Sequence, residues 1–242
     1  MNLAVINSAI KSLCEEIGSS SVVQETWMKA GEDELLYEMA FCIFGSQMLY
    51  EVTVAAVDKL KANGLLNHGK ALAFVRAATY VDEVRRILSE SLTVKIKGVE
   101  RRVNLRFRNR LSTLLAATLE KIYGTGLTIK QILKSAHSGR NAREIFVHYV
   151  DGFGPKQASL FLRRVGYCSQ LAVLDTHVMD YLRLANGAAL KMSALSKLSS
   201  YERVEDEFII IANEFGYSAG CVDLAMWIAM RVAKRDMQHE YS

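Results

Sequence analysis

Apolar residues recur at helical spacing along most of the chain. Leu3, Ile6, Ile10, Leu13 and Ile17 share one helix face, and Gly18 ends the run. Glu34 to Phe44 predicts a strongly apolar helix broken at Gly45-Ser46, and Val52, Ala55, Ala56 and Leu60 mark the face of the next. The spacing predicts further helices over about 81–91, 106–123, 128–137, 140–149, 155–165, 176–185, 194–215 and 218–235. Residues 92–103 instead alternate around Gly98, which predicts a short β-hairpin. Nothing in the pattern marks a linker, a repeat or a low-complexity stretch, so any division into lobes has to come from packing.

Composition agrees with a helical protein. Half of the 242 residues are apolar, which excludes wholesale disorder, and a single proline, Pro155, with 15 glycines disfavours a turn-rich β-sandwich. The net charge of +4 permits a polyanionic partner without demanding one. Cys14, Cys42, Cys168 and Cys221 are irregularly spaced and include no C-x-x-C pair, which argues against a structural zinc or iron–sulfur site. Three of them sit among apolar residues, as buried thiols of a reducing compartment do. No apolar run approaches a membrane span, and the first residues lack a positively charged leader. A cytoplasmic chain with no membrane partner is expected.

The chemistry concentrates in two short motifs. Residues 150–156 read Val-Asp-Gly-Phe-Gly-Pro-Lys: a helix ends near Tyr149, Gly152 and Gly154 bracket a tight turn, and Pro155 opens a new helix. The free N–H groups of such a turn and helix start can hold a phosphate, which is the logic of a helix-hairpin-helix clamp on nucleic acid. Lys156 falls in the first turn of the new helix. The positive end of a helix dipole disfavours a cation, and a neutral amine is what nucleophilic attack requires. The second motif is Val173-Leu174-Asp175-Thr176-His177, where an apolar run ends and Asp175 opens the next helix. One helix and a loop separate Lys156 from Asp175, enough to bring the carboxylate back to the amine.

Gly152-Phe153-Gly154-Pro155-Lys156 and Leu174-Asp175-Thr176-His177 resemble the G-h-G-x-K…h-D-x-H signature of helix-hairpin-helix DNA glycosylases with lyase activity, and the compact archaeal-type 8-oxoguanine DNA glycosylases in particular. Softer likenesses flank it: residues 34–43 are similar to that class's early core helix, Arg106-Phe107-Arg108-Asn109-Arg110 to its R-F-x-N-x-R segment, and Val222-Asp223-Leu224-Ala225-Met226-Trp227 to its L-D-L-x-L-W. There are two departures. The compact class typically ends at a lysine soon after the tryptophan segment, whereas this chain continues from Lys234 to Ser242. Phe44-Gly45-Ser46-Gln47 looks more like the L-S-x-Q of endonuclease III relatives, whose glutamine probes the space left by a flipped base.

The resemblance implies an all-α fold of two helical lobes with a cleft between them. Approximately residues 34–150 would form the middle lobe, and approximately 1–33 with 151–242 the second, carrying the hairpin and both catalytic residues. It implies Lys156 as nucleophile and Asp175 as the carboxylate that stabilises charge on the sugar. It also implies a DNA contact through Gly152, Phe153, Gly154, Gln47, Arg106, Arg108 and Arg110, and a base pocket near Asp223 and Trp227. No cofactor or catalytic metal is required, though a monovalent cation at the hairpin is compatible. The expected partner is double-stranded DNA with a damaged base, bound by a monomer.

Plainer readings stand beside these. Asp175 is also a strong helix N-cap, and the two roles are compatible. Lys95, Lys97, Arg101, Arg102, Arg106, Arg108 and Arg110, with Glu100 as the one acid among them, either face phosphates or form a solvated face. Trp227 sits where core packing competes with base stacking, Gln47 could be a helix cap rather than a wedge, and His177 could pack locally. Three functions stay open: a bifunctional glycosylase/lyase for 8-oxoguanine, a glycosylase for another altered base such as a bulky modified pyrimidine of phage DNA, and a non-catalytic DNA-binding module.

Overall fold

The computed structural model describes residues 2–20, 26–46, 48–96, 98–187 and 192–240, without the side chains of 19, 20 and 235–240. Gln47 and Lys97 thus lie outside the described residues. The chain divides into two compact units: residues 26–153, and residues 1–25 together with 154–242.

The middle unit holds α2 (Thr26–Lys29), α3 (Glu32–Gly45), α4 (Tyr50–Ala62), α5 (His68–Arg76), α6 (Tyr80–Ser89), β1 (Leu92–Ile96), β2 (Val99–Val103), α7 (Arg108–Tyr123), α8 (Ile129–Ser135) and α9 (Gly139–Tyr149). Helix α3 is its centre, with Leu35, Leu36, Met39, Ala40, Cys42, Ile43 and Phe44 out of contact with water. Its first turn also organises its neighbours. Glu32 accepts the N–H groups of Ile129 and Lys130 and so caps α8, while Asp33 accepts His68 N–H and the Asn67 amide at the start of α5. Helix α5 is absent from the sequence expectation, because its start depends on Asn67 as N-cap and on that distant aspartate. The expected hairpin at 92–103 forms, with Leu92 opposite Val103 and Ile96 opposite Val99. Leu92 and Val94 are buried, whereas residues 99–102 are all exposed.

The other unit joins α1 (Leu3–Ser20) to α10 (Pro155–Arg164), α11 (Thr176–Asn186), a 3-10 turn (Met192–Ser196), α12 (Leu198–Phe215) and α13 (Ala219–Glu240). Helix α1 packs along α13, and so does α11. Ile6, Ile10, Cys14, Leu174, Val178, Phe208, Val222 and Met226 belong to one buried core. Burial pushes the Cys14 thiol up to about 12, so the inert thiol expected there is what the fold provides. The single helix expected over 194–215 is instead interrupted at Lys197, whose extended backbone separates the 3-10 turn from α12. The residues after Lys234 continue α13 to Glu240. Among the described residues no single helix is long and apolar enough to cross a membrane.

Candidate active site

The hairpin joins α9 to α10 through Val150–Gly154. Phe153 N–H closes the turn on the Val150 carbonyl (3.1 Å), and Ala158 N–H reaches the Gly154 carbonyl (3.1 Å) as α10 begins. On the α9 side, Asp151 accepts from Lys121 Nζ (2.5 Å) and its N–H donates to Thr118 (3.0 Å). The two glycines differ. Gly152 has φ +89° and its missing Cβ would press on Leu114 at 3.0 Å, so both backbone and space require glycine. Gly154 is extended, at φ −101° and ψ −178°, and a Cβ there would meet nothing within 4 Å. Of the two glycines expected to bracket the turn, only Gly152 supplies its positive φ. Phe153 is buried and anchors the turn.

Pro155 takes the first position of α10, and its N-cap residue, Gly154, has no side chain with which to cap the helix. Lys156, at the second position, is half-buried and forms no ion pair with any described residue. Asp175 is the N-cap of α11. Its Oδ1 accepts both His177 N–H (2.9 Å) and Val178 N–H (3.0 Å), and Oδ2 takes no hydrogen bond from any described residue. The cap thus fixes one oxygen and leaves the other available. Lys156 and Asp175 belong to the same compact unit.

The approach to Asp175 is held from below. Ala172 N–H donates to Glu205 Oε1 (3.0 Å), Val173 N–H to Asp223 Oδ2 (2.6 Å) and Leu174 N–H to the Tyr201 hydroxyl (3.0 Å). The Tyr201 hydroxyl donates in turn to the Ala172 carbonyl (2.8 Å), and Asp175 N–H turns back to Val173 (2.9 Å). Glu205 and Tyr201 are inaccessible to water and Asp223 is 2% exposed. Asp223 Oδ1 also bonds the Arg163 guanidinium, which reaches the Gly220 carbonyl as well (3.2 Å). Asp223, expected near a base pocket, is here an internal tie, with both of its oxygens bonded to groups of the fold.

Sequence reasoning missed Tyr201, Glu205 and Arg163 altogether. One signal was available: Tyr201, Val204, Glu205, Phe208 and Ala212 form the buried stripe of α12, and a glutamate on an apolar stripe needs a buried donor.

Trp227 is half-buried, four residues beyond Asp223 on α13. Its ring meets His177 edge-on, with centroids 6.2 Å apart and planes at 89°, and lies under Arg231 at 4.9 Å. The tryptophan is therefore neither sealed in the core nor open on all sides. Burial pushes the His177 imidazole below its usual range. Lys234 and Arg231 add to that shift, while Asp175 and Asp180 oppose it. Its Nδ1 is buried without a hydrogen-bond partner among the described residues.

In the middle unit, Arg101, Arg102, Arg106, Arg108 and Arg110 are all exposed, and none forms an ion pair with a described residue. Elsewhere cations are engaged, as in Lys59–Glu90, Arg86–Glu83 and Arg183–Asp180. Among the described residues no cluster of three or more His, Cys, Asp or Glu side chains is placed to hold a metal ion.

The 8-oxoguanine DNA glycosylase/AP lyase of Saccharolobus solfataricus is 32% identical over 136 residues, 55% of this chain and 63% of its own. The chain thus spans about three fifths of the length of the curated relatives it matches first. The solved 8-oxoguanine DNA glycosylase of Thermotoga maritima superposes with a TM-score of 0.66 at 20% identity, over 93% of this chain and 96% of its own. The Methanocaldococcus jannaschii 8-oxoguanine glycosylase/lyase, in complex with a 15mer DNA containing 8-oxoguanine, gives 0.66 at 21% identity, over 90% and 94%. At that identity the likeness carries the all-α helix-hairpin-helix fold. The profile of one family, Ogg-HhH, described as 8-oxoguanine DNA glycosylase, matches residues 70–217, more than half of the sequence, and the chain belongs to that family.

Proposed function

We propose that the chain is a bifunctional DNA glycosylase/AP lyase that removes 8-oxoguanine from double-stranded DNA and nicks the strand at the resulting site. The observation that carries this reading is the split carboxylate of Asp175: one oxygen held by the α11 cap, the other unengaged by the described residues, in the same unit as the half-buried, unpaired Lys156.

The reaction follows from those two groups. The target nucleotide leaves the stack, at a cost of about a few kcal/mol. As the N-glycosidic bond lengthens, its electron pair goes to the base and positive charge builds on the sugar. The Asp175 carboxylate stabilises that charge, and the base takes a proton as it departs. The Lys156 amine forms a bond to C1′ and gives up one proton; the C1′–O4′ bond then breaks, O4′ takes a proton, and the open sugar is held as a protonated Schiff base. Removal of a proton from C2′ sends its electron pair toward the iminium, and the resulting enamine expels the C3′–O phosphate, so that the downstream strand departs with a 5′ phosphate. The start of α10, where the cap residue Gly154 has no side chain and a Cβ would meet nothing within 4 Å, supports a backbone contact with a phosphate of the same strand. The unpaired arginines 106, 108 and 110 support further phosphate contacts.

The test is borohydride trapping on duplex DNA carrying 8-oxoguanine, compared with a panel of other altered bases. A trapped adduct with the wild-type chain, lost in Lys156→Gln while DNA binding persists, is the expected result. A Lys156→Gln variant that still traps would remove Lys156 as the nucleophile, and release of a different base alone would reassign the substrate.

A further inference from the structure

We infer that Tyr201, Glu205 and Asp223 are positioning residues for the catalytic pair, with Asp223 setting the nucleophile's helix and the acid's segment against one another; this rests on the glycosylase reading above. The run 172–174 is neither helix nor strand, so no ladder satisfies its backbone. Three consecutive N–H groups are instead each accepted by a different buried side chain from α12 or α13. A buried carboxylate is costly to desolvate, and two of them line this one stretch. Burying a backbone needs only neutral acceptors, so this arrangement does more than hide it. It fixes the φ and ψ of the residues leading into Asp175, whose own N–H is turned back onto Val173.

Asp223 adds the second half. Its Oδ2 holds Val173, two residues before Asp175, and its Oδ1 holds Arg163, which lies on α10 with Lys156 two turns earlier. A single buried carboxylate therefore joins the element bearing the amine to the element bearing the acid. The junction is close-packed. Gly220 N–H donates to the Ser169 carbonyl (2.9 Å), and a Cβ on Gly220 would sit 2.9 Å from that oxygen and 3.1 Å from Arg163 Cδ. Little slack is available for α10, α13 and the 171–175 segment to move separately.

The predicted signature separates rate from stability. Tyr201→Phe keeps the ring but frees Leu174 N–H and the Ala172 carbonyl, next to Asp175. The single-turnover rate of base release from 8-oxoguanine DNA, per folded molecule at saturating enzyme, should fall about tenfold or more, in line with the sensitivity of catalysis to sub-ångström misplacement. The DNA Kd should hold, and trapping on preformed abasic DNA should fall less, since no base has to leave. Asp223→Asn cannot serve Arg163 and Val173 with one carbonyl oxygen, so base release and abasic trapping should fall together. Ile10→Val, in the α1 core of the same unit, is the control: it should lower Tm and leave both rates at wild type. Tyr201→Phe and Asp223→Asn variants that lose Tm but match the wild-type rates overturn this inference alone. A wild-type chain inert on both substrates overturns the glycosylase reading and this inference with it.

Discussion

Two stretches of this chain carry the parts of the proposed reaction, and they are built in opposite ways. Residues 172–175 are tied down: backbone donor after donor is accepted by a buried side chain or by the segment itself, and the carboxylate at its end is half-committed to capping α11. Residues 101–110 are the reverse, with five arginines exposed and none paired with a described carboxylate. The proposed reaction accounts for the difference. A developing charge at one sugar carbon rewards a group that cannot move, because reorientation during the reaction would be paid in rate. A phosphate backbone offers charge every few ångströms and rewards long, solvated side chains that adapt and release counterions.

The comparison can be broken at its rigid end first. Asp175→Asn keeps a capping oxygen for the His177 and Val178 N–H groups, so the fold should lose little stability. It removes the charge, and base release should fall by at least about a hundredfold. Thermal melting beside single-turnover kinetics checks both halves, and a stable variant of full activity would mean that the carboxylate only caps. At the open end, replacing Arg106, Arg108 and Arg110 together by alanine should leave Tm unchanged. The dependence of log K on log salt should flatten by roughly 0.9 for each phosphate contact removed. Binding titrations over a series of salt concentrations read that slope, and an unaltered one would make the stretch a solvated face.

The smallest effect lies beside Asp175. Burial holds His177 below its usual range, so the folded chain keeps the imidazole neutral where the unfolded chain begins to protonate, at about pH 6.5. Below that point the unfolded state binds more protons, and stability falls as pH drops until the folded imidazole also titrates. His177→Gln should make the decline in Tm between about pH 7 and pH 5 shallower. An identical decline in both proteins would place the pH dependence elsewhere.

Much of the frame was legible from short-range pattern. The hairpin with Pro155 at a helix start, the strand pair around Gly98 and the Asp175 cap each depend on neighbours within a few residues, and each forms where the pattern predicts. What escaped depends on distance along the chain. Val173 meets Asp223 fifty residues on, so nothing local to either reveals that Asp223 is an internal tie. Helix α5 escaped for a similar reason, since Asp33, thirty-five residues before His68, helps to start it. The boundary between the units leaves no compositional trace because it falls inside the hairpin, where Phe153 anchors one side and Pro155 opens the other.

The union of α1 with α13 in one unit bears on how the molecule is made. Residues 26–153 can collapse as soon as they leave the ribosome, because that unit is one continuous stretch of chain. Helix α1 is synthesised before the middle unit, yet its packing partner α13 begins only at Ala219, so its apolar face waits until every element between them has been made. Until α13 arrives, Asp223, which joins α10 to the segment before Asp175, does not exist in the nascent protein. On the proposed reading, a product truncated before α13 would carry both Lys156 and Asp175 and still lack Asp223, the carboxylate that bonds Arg163 and Val173.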